Sequence, residues 1–296
     1  MTGAQGQLGF ELAAALRGCA TVVALDRTSL DLEDPDAIRA ALRDHAPDLV
    51  VNAAAYTEVD RAQGERARAF AVNATAPGII AEQVRAAGAL LVHYSTDYVF
   101  DGTAKAPYAE SAQPRPLNVY GESKLAGEIA VRDSGAAALV FRTSWVYGMR
   151  GRNFLLTIRR LAATREELRI VDDQTGTPNW CRELARATAV LVARGVPYLR
   201  ERAGLYHLSA RGATTWYGFA RAIVGEAATP RVVPIATADY PTPARRPAYG
   251  VLDSTLFERT FGIALPDWRQ SLGDCLNAPM EPPASIACPP TGGPAR

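Results

Sequence analysis

The chain has almost no lysine. Of its 32 basic residues only Lys105 and Lys124 are lysines, so arginine carries nearly every positive charge. It also has no surplus of either sign. Thirty-two basic residues face 31 acidic ones, and a net charge of +1 leaves no electrostatic footprint for nucleic acid or an anionic membrane. No apolar run approaches the length that spans a bilayer, and no secretory signal precedes the first glycines. Cys19, Cys181, Cys275 and Cys288 are widely scattered, with neither metal-ligand nor redox-pair spacing, which points to reduced thiols in a cytoplasmic protein. His45, His93 and His207 are too dispersed for a zinc site. What the chain does have is size: 296 residues with 48% hydrophobic content can bury a large core.

The scarcity of lysine makes Lys124 informative, because a compact ammonium does work that a guanidinium does not. It stands four positions after Tyr120 in Tyr120-Gly121-Glu122-Ser123-Lys124. Residues four apart share a helix face, so phenol and ammonium point into one space, an arrangement for moving a proton. Upstream, Gly3, Gly6 and Gly9 open a helix expected over Gln7 to Arg17, with Leu8, Leu12 and Leu16 at helical spacing. Glycines let backbone approach a pyrophosphate, and a helix N-terminus offers amide donors. Thr21 to Leu25 then reads as a buried strand closed by Asp26, the place of a carboxylate that holds an adenosine ribose.

Strand and helix patterns alternate through the first half: a helix over Pro35 to His45, a strand to Asn52, a helix over Glu65 to Ala87, a strand from Ala89, a helix from about Leu117 and a strand over Ala138 to Arg142. Continuous apolar strands between helices predict an α/β fold, a doubly wound parallel sheet of Rossmann type with helices on both faces. Ligands of such sheets sit beyond the carboxyl ends of the strands, where Asp26, Asn52, Thr96 and Thr143 fall. The predicted organisation is a dinucleotide-binding domain over 1–150, a smaller α/β substrate lobe over 151–278 and a disordered tail over 279–296, rich in proline, glycine and small residues. The proline-bearing stretch 240–247 is expected to be extended and able to cover a ligand.

Four runs carry a family likeness: Val92-His93-Tyr94-Ser95-Thr96-Asp97-Tyr98-Val99-Phe100, Pro116 to Gly121, Ser123 to Glu128, and Phe141-Arg142-Thr143-Ser144-Trp145-Val146-Tyr147. With Asp173-Gln174-Thr175-Gly176-Thr177-Pro178, Gly204 to Leu208 and Phe261 to Trp268, they resemble the dTDP-4-dehydrorhamnose reductases of the extended short-chain dehydrogenase/reductase superfamily. The resemblance covers almost everything except the tail. It implies reduction of the C4 ketone of a dTDP-linked deoxysugar by NADH or NADPH. Hydride arriving at a carbonyl carbon places charge on its oxygen, so an acid must supply a proton there. Tyr120 is the candidate acid, with Lys124 about 5 Å away expected to lower its pKa by about two units.

The resemblance further implies that Thr96 holds the substrate carbonyl and that Lys124 reaches the nicotinamide ribose. It places Gly6, Gln7 and Leu8 at the pyrophosphate, Asp26 at the ribose, Asp31 and Leu32 near the adenine, and Ala55, Tyr56, Thr57 and Tyr94 along the cleft. Asp26 favours NADH, whereas Arg27 could bind a 2′-phosphate, and both cofactors stay open. Trp145 is expected against the sugar, Asp97 at its hydroxyls, and Arg245 and Arg246 on the diphosphate. Tyr249 and Gly250 depart from the family's asparagine and serine, which leaves the exact sugar open. Some members carry magnesium at a dimer interface. Glu11 and Glu183 fall at acidic positions of that kind, so a homodimer is part of the expectation, while the glutamates are read as exposed charges and magnesium is not favoured.

The chain also departs at its start. Family members place a hydrophobic strand before the glycine turn, where this sequence has Met1 and Thr2. Loss of that central strand would leave its neighbours about 10 Å apart with unpaired backbone groups, so a start upstream of Met1 is expected. Two other readings share the sequence features: a related deoxysugar 4-ketoreductase, and a non-catalytic regulatory subunit like the methionine adenosyltransferase beta subunit. Retention of Thr96, Tyr120 and Lys124 argues against the second.

Overall fold

A computed structural model describes residues 1–225 and 229–279; the expected tail lies outside the described residues apart from Pro279. The chain runs α1 (Gln7–Leu16), α2 (Pro35–His45), β1 (Leu49–Asn52), α3 (Val59–Ala62), α4 (Arg66–Phe70), a π-helical turn (Ala71–Thr75), α5 (Ala76–Ala86), β2 (Leu90–Thr96), α6 (Val119–Asp133) and β3 (Ala138–Thr143). It continues through β4 (Val146–Tyr147), α7 (Phe154–Ala162), β5 (Glu167–Val171), β6 (Thr175–Gly176), β7 (Asn179–Trp180), α8 (Cys181–Ala193), α9 (Val196–Arg200) and β8 (Gly204–His207). The last elements are β9 (Thr214–Thr215), α10 (Trp216–Val224), β10 (Arg231–Ile235), α11 (Thr255–Phe261) and α12 (Trp268–Asn277). Among the described residues no helix is long and apolar enough to cross a membrane.

The main sheet is parallel, in the order β1-β2-β3-β8. All seven residues of β2 are buried, as the apolar run requires of a strand covered on both faces. One face packs against α1 and α8 through Leu8, Leu12, Leu139, Phe141 and Leu184. The other packs against α2, α5 and α6 through Ile38, Ile80, Leu91 and Val131. Asp34 caps α2 by accepting from the amides of Asp36 and Ala37, with Pro35 at the first helical position. β5 and β10 form a separate parallel pair under α7 and α10.

Two expectations change. The predicted strand over Thr21 to Leu25 is an extended segment with a ladder contact only at Leu25, and Val23 is 41% exposed. The reason is local. Met1 to Ala4 stand between this segment and β1, where Thr2 bridges both Leu25 and Asn52. The Thr2 amide donates to Val51 (3.0 Å), and the amides of Leu25 and Ala4 bond to Met1 and Leu25 (2.8 and 3.1 Å). The carboxyl end of the slot is thus paired rather than open. The helix expected over Glu65 to Ala87 is α4 and α5 joined by the π-helical turn. The Asn73 amide there accepts from the Tyr56 backbone N–H (2.8 Å) and donates to the Ser123 hydroxyl (3.0 Å), and a Cβ on Gly127 of α6 would lie 2.1 Å from the Asn73 carbonyl oxygen.

Candidate active site

One cleft of about 580 Å³ opens at the carboxyl ends of the parallel strands. Its dinucleotide end is built by the glycine turn. Gly3 adopts φ +71°, and a Cβ on Gly9 would lie 2.0 Å from the Gly3 carbonyl oxygen, so α1 presses directly on the turn. Gly6 is the N-cap of α1 and no side chain caps it, which leaves the first amides of α1 uncapped where Gln7 and Leu8 line the cleft. Such donors fit a pyrophosphate. Asp26 Oδ1 accepts from the amides of Thr28 and Ser29 and both hydroxyls, while Gln5 donates to Oδ2. These donors, led by the Thr28 hydroxyl, pull its pKa down to about 2, so it stays ionised. Arg27, Asp31, Leu32, Ala55 and Thr57 line the same end.

The candidate catalytic side chains enter from β2 and α6. A Cβ on Gly121 would lie 2.2 Å from the Tyr98 carbonyl oxygen, so α6 is seated against the turn Asp97–Val99 that follows Thr96. Asn118 caps α6 by accepting from the Gly121 amide (2.9 Å). Tyr120 is thereby placed edge-on to Tyr98, with ring centroids 5.6 Å apart. Lys124 Nζ donates to the Tyr94 carbonyl at 2.6 Å. Burial lowers its pKa to about 8, partly opposed by Glu128 one turn later. The expected lowering of the Tyr120 pKa is overturned: burial raises it to about 12, a hydrogen bond with Thr96 acts the other way, and the Asp97 charge adds to the rise. Desolvation of the phenolate outweighs the Thr96 hydrogen bond, so the phenol keeps its proton through neutrality.

Asp97 is 2% exposed. The Thr96 hydroxyl donates to its Oδ1 (3.1 Å), while Oδ2 has no protein partner, and burial raises its pKa to about 7. The departure at Gly250 belongs here, since a Cβ at that position would lie 2.5 Å from Asp97 Oδ2. Trp145 lines the cleft with φ +43° and stacks on Trp216, centroids 3.5 Å apart and planes at 8°.

Most of the expected site residues thus meet in one cleft: Gly3, Gly6, Gln7, Leu8, Asp26, Arg27, Asp31, Leu32, Ala55, Thr57, Tyr94, Thr96, Asp97, Tyr120, Lys124 and Trp145. Gly9 supports the turn from behind. Tyr56 lies outside the lining, its hydroxyl donating to Glu65 (3.0 Å). Arg246 also lies outside it, bidentate on Asp60 (3.1 and 2.8 Å), and Arg245 is exposed. Gln5, Asn153 and Trp216 line the cleft without having been singled out. The asparagine amide bonds Gln7 (2.7 Å). Asn153 does carry a sequence signal, as the N-cap immediately before the helical pattern of α7.

The magnesium positions do not fit a metal. Glu11 is 8% exposed rather than solvent-facing, and both its oxygens are taken by Arg182 (2.8 and 3.1 Å); Glu183 pairs with Arg186 (2.8 Å). No group of three His, Cys, Asp or Glu side chains that could hold a metal occurs among the described residues.

Comparison with known proteins finds that the family model of the RmlD substrate-binding domain matches residues 1–280. A dTDP-4-dehydrorhamnose reductase of Burkholderia thailandensis is 48% identical, covering 93% of this chain and 97% of that protein. The Escherichia coli K12 enzyme of the same name is 44% identical, with 93% and 95% covered. A crystal structure of the Bacillus anthracis dTDP-4-dehydrorhamnose reductase with NADP superposes with a TM-score of 0.85 at 33% identity, covering 93% and 96%.

Proposed function

The chain belongs to the dTDP-4-dehydrorhamnose reductase family, and from that premise we propose how its own residues carry out the reaction. It is an NAD(P)H-dependent oxidoreductase that reduces the C4 ketone of dTDP-4-dehydro-L-rhamnose to dTDP-L-rhamnose. The observation that carries the assignment of roles is the meeting of Thr96, Tyr120 and Lys124 in the same cleft as the glycine turn.

Gln7 and Leu8 offer their amides to the pyrophosphate, and Asp26 accepts from the ribose hydroxyls. A nicotinamide bound beside Lys124 supplies the hydride. Tyr120, protonated through neutrality, gives its proton to the ketone oxygen as charge grows there. Thr96 orients that oxygen and hydrogen-bonds the phenol. Lys124, fixed by the Tyr94 carbonyl, stabilises the phenolate left behind, because a nearby cation counts for more in a desolvated site than in water. Asp97 lines the cleft beside Thr96 and is placed near the sugar hydroxyls.

The test is oxidation of NADH and of NADPH in the presence of freshly generated dTDP-4-dehydro-L-rhamnose, with product stereochemistry read by NMR. Dinucleotide oxidation with formation of the L-rhamno product is expected. A different epimer would reassign the chain to another deoxysugar 4-ketoreductase, and dinucleotide binding without turnover would make it a non-catalytic subunit.

A further inference from the structure

No residue of the motif Asp173-Gln174-Thr175-Gly176-Thr177-Pro178 lines the cleft, yet its Gly176 packs against Trp145. A Cβ built on Gly176 would lie 2.5 Å from Trp145 Cε2, 2.7 Å from Cζ2 and 2.8 Å from Nε1. The shared carbon is nearest. An approach from the ring's rim would instead bring nitrogen and Cζ2 closer than the carbon between them, so Gly176 lies over the ring face. Trp216 is stacked on Trp145 at 3.5 Å, which leaves no space for another group on that face, so Gly176 occupies the opposite one.

Each jaw of this clamp is itself held. Trp216 Nε1 donates to Gln174 Oε1 (3.2 Å), and Gln174 donates in turn to the Thr237 hydroxyl (2.9 Å). Phe154 packs on Trp216 from α7 (4.6 Å). Gly176 is pinned by β6 pairing with β9, and Thr177 donates to the Gly212 carbonyl (2.8 Å). The clamped tryptophan has a positive φ, a backbone state that a residue with a large side chain holds only when its surroundings impose it. Among the described residues its indole nitrogen has no hydrogen-bond partner.

We propose that Trp216 is a positioning residue which, with Gly176 and Gln174, sandwiches Trp145 so that it meets the sugar with its N–H edge, as a directed donor to a ring hydroxyl, and not with its face as a stacking platform. The inference rests on the reductase reading for the identity of the ligand. It extends that reading by giving the Gln174–Thr177 motif a role in sugar specificity.

The experiment combines three variants with readouts that do not need turnover. Far-ultraviolet circular dichroism reports the stack as an exciton couplet of the two indoles, calorimetry gives affinity for dTDP-L-rhamnose, and NADPH affinity is measured separately. Trp216→Leu is expected to abolish the couplet and weaken sugar-nucleotide binding by about tenfold while NADPH affinity stays within about twofold. Trp216→Phe, which keeps a ring in the slot, is expected to restore most of the sugar-nucleotide affinity. Trp145→Phe keeps a stackable face but lacks the N–H, and is expected to bind dTDP-L-rhamnose about fivefold to tenfold more weakly. Unchanged affinity in Trp145→Phe overturns the edge-donor claim, and it does so even if Trp216→Leu fails to fold. Wild-type-like sugar affinity in a folded Trp216→Leu that has lost the couplet, or an equal loss of NADPH affinity, overturns the positioning claim. Wild-type protein that binds dTDP-L-rhamnose without reducing the ketone would overturn the reductase reading and leave this inference standing.

Discussion

The Lys124 ammonium donates a 2.6 Å hydrogen bond to the backbone carbonyl of Tyr94, tying α6 to β2 beside Thr96. The bond fixes a charge where burial disfavours charge, and the balance places the lysine pKa at about 8. Lys124 is therefore cationic below that pH and loses its proton as pH rises through it. Activity that depends on the cation should be full near neutrality and fall with an apparent pKa of about 8 in kcat/KM. Lys124→Met should lower kcat/KM by about 100-fold or more and abolish this limb. A pH profile of the variant that keeps the wild-type limb would contradict the assignment. Lys124→Arg should not rescue, because a planar guanidinium cannot occupy the site of a compact ammonium.

Tyr120 has the complementary property. With its pKa raised to about 12 it stays protonated across the physiological range, as the proposed donor must. Tyr120→Phe keeps the ring against Tyr98 and removes only the hydroxyl, so it should cut kcat by about 10²- to 10⁴-fold and leave dinucleotide affinity near normal. Steady-state kinetics together with NADPH titration decide this; unchanged turnover would refute the role.

Asp97 links function to stability. Its folded pKa of about 7 lies above the ordinary 3.8, so the folded protein holds a proton that the unfolded chain releases. Stability from this group is fully present below about pH 4 and is lost as pH rises toward 7. Asp97→Asn does not titrate, so its stability relative to wild type should grow between pH 4 and 7, by on the order of a few kcal/mol, and level off above. Urea melts at a series of pH values measure the difference, and a pH-independent difference would show that Asp97 titrates normally. The same variant should bind the sugar nucleotide more weakly, because an amide replaces a carboxylate beside Thr96 in the lining of the cleft.

What the sequence made legible was short in range. The glycine turn, the Asp34 and Pro35 start of α2 and the Tyr120–Lys124 spacing each involve a few neighbouring residues, and each appears where the local pattern places it. The pKa of Tyr120 went the other way, because burial is a property of everything packed around the phenol and not of the lysine one turn away. Arg246 could not be read as the partner of Asp60, nor Trp216 as the partner of Trp145, because those contacts join distant segments that only the fold brings together. Thr21 to Leu25 failed as a buried strand for a related reason: an apolar run says nothing of which segments the fold packs over it, and Val23 is 41% exposed.

The buried pair of Glu11 and Arg182 allows a prediction about metals. Arg182 bonds both oxygens of Glu11 and also donates to the Pro279 carbonyl (3.3 Å), so a metal would have to displace a buried guanidinium to reach the glutamate. Magnesium addition and chelation by EDTA should therefore leave both kcat/KM and the melting temperature unchanged. Removing one partner is a different matter, because it strands the other charge in a buried setting. Arg182→Met should destabilise the fold by about 3 kcal/mol or more, and a double variant Glu11→Gln with Arg182→Met should recover part of that loss. A melting temperature that rises with magnesium in Arg182→Met but not in wild type would show that the guanidinium stands in for a cation. A wild-type protein that needs magnesium would show that the pair opens in solution.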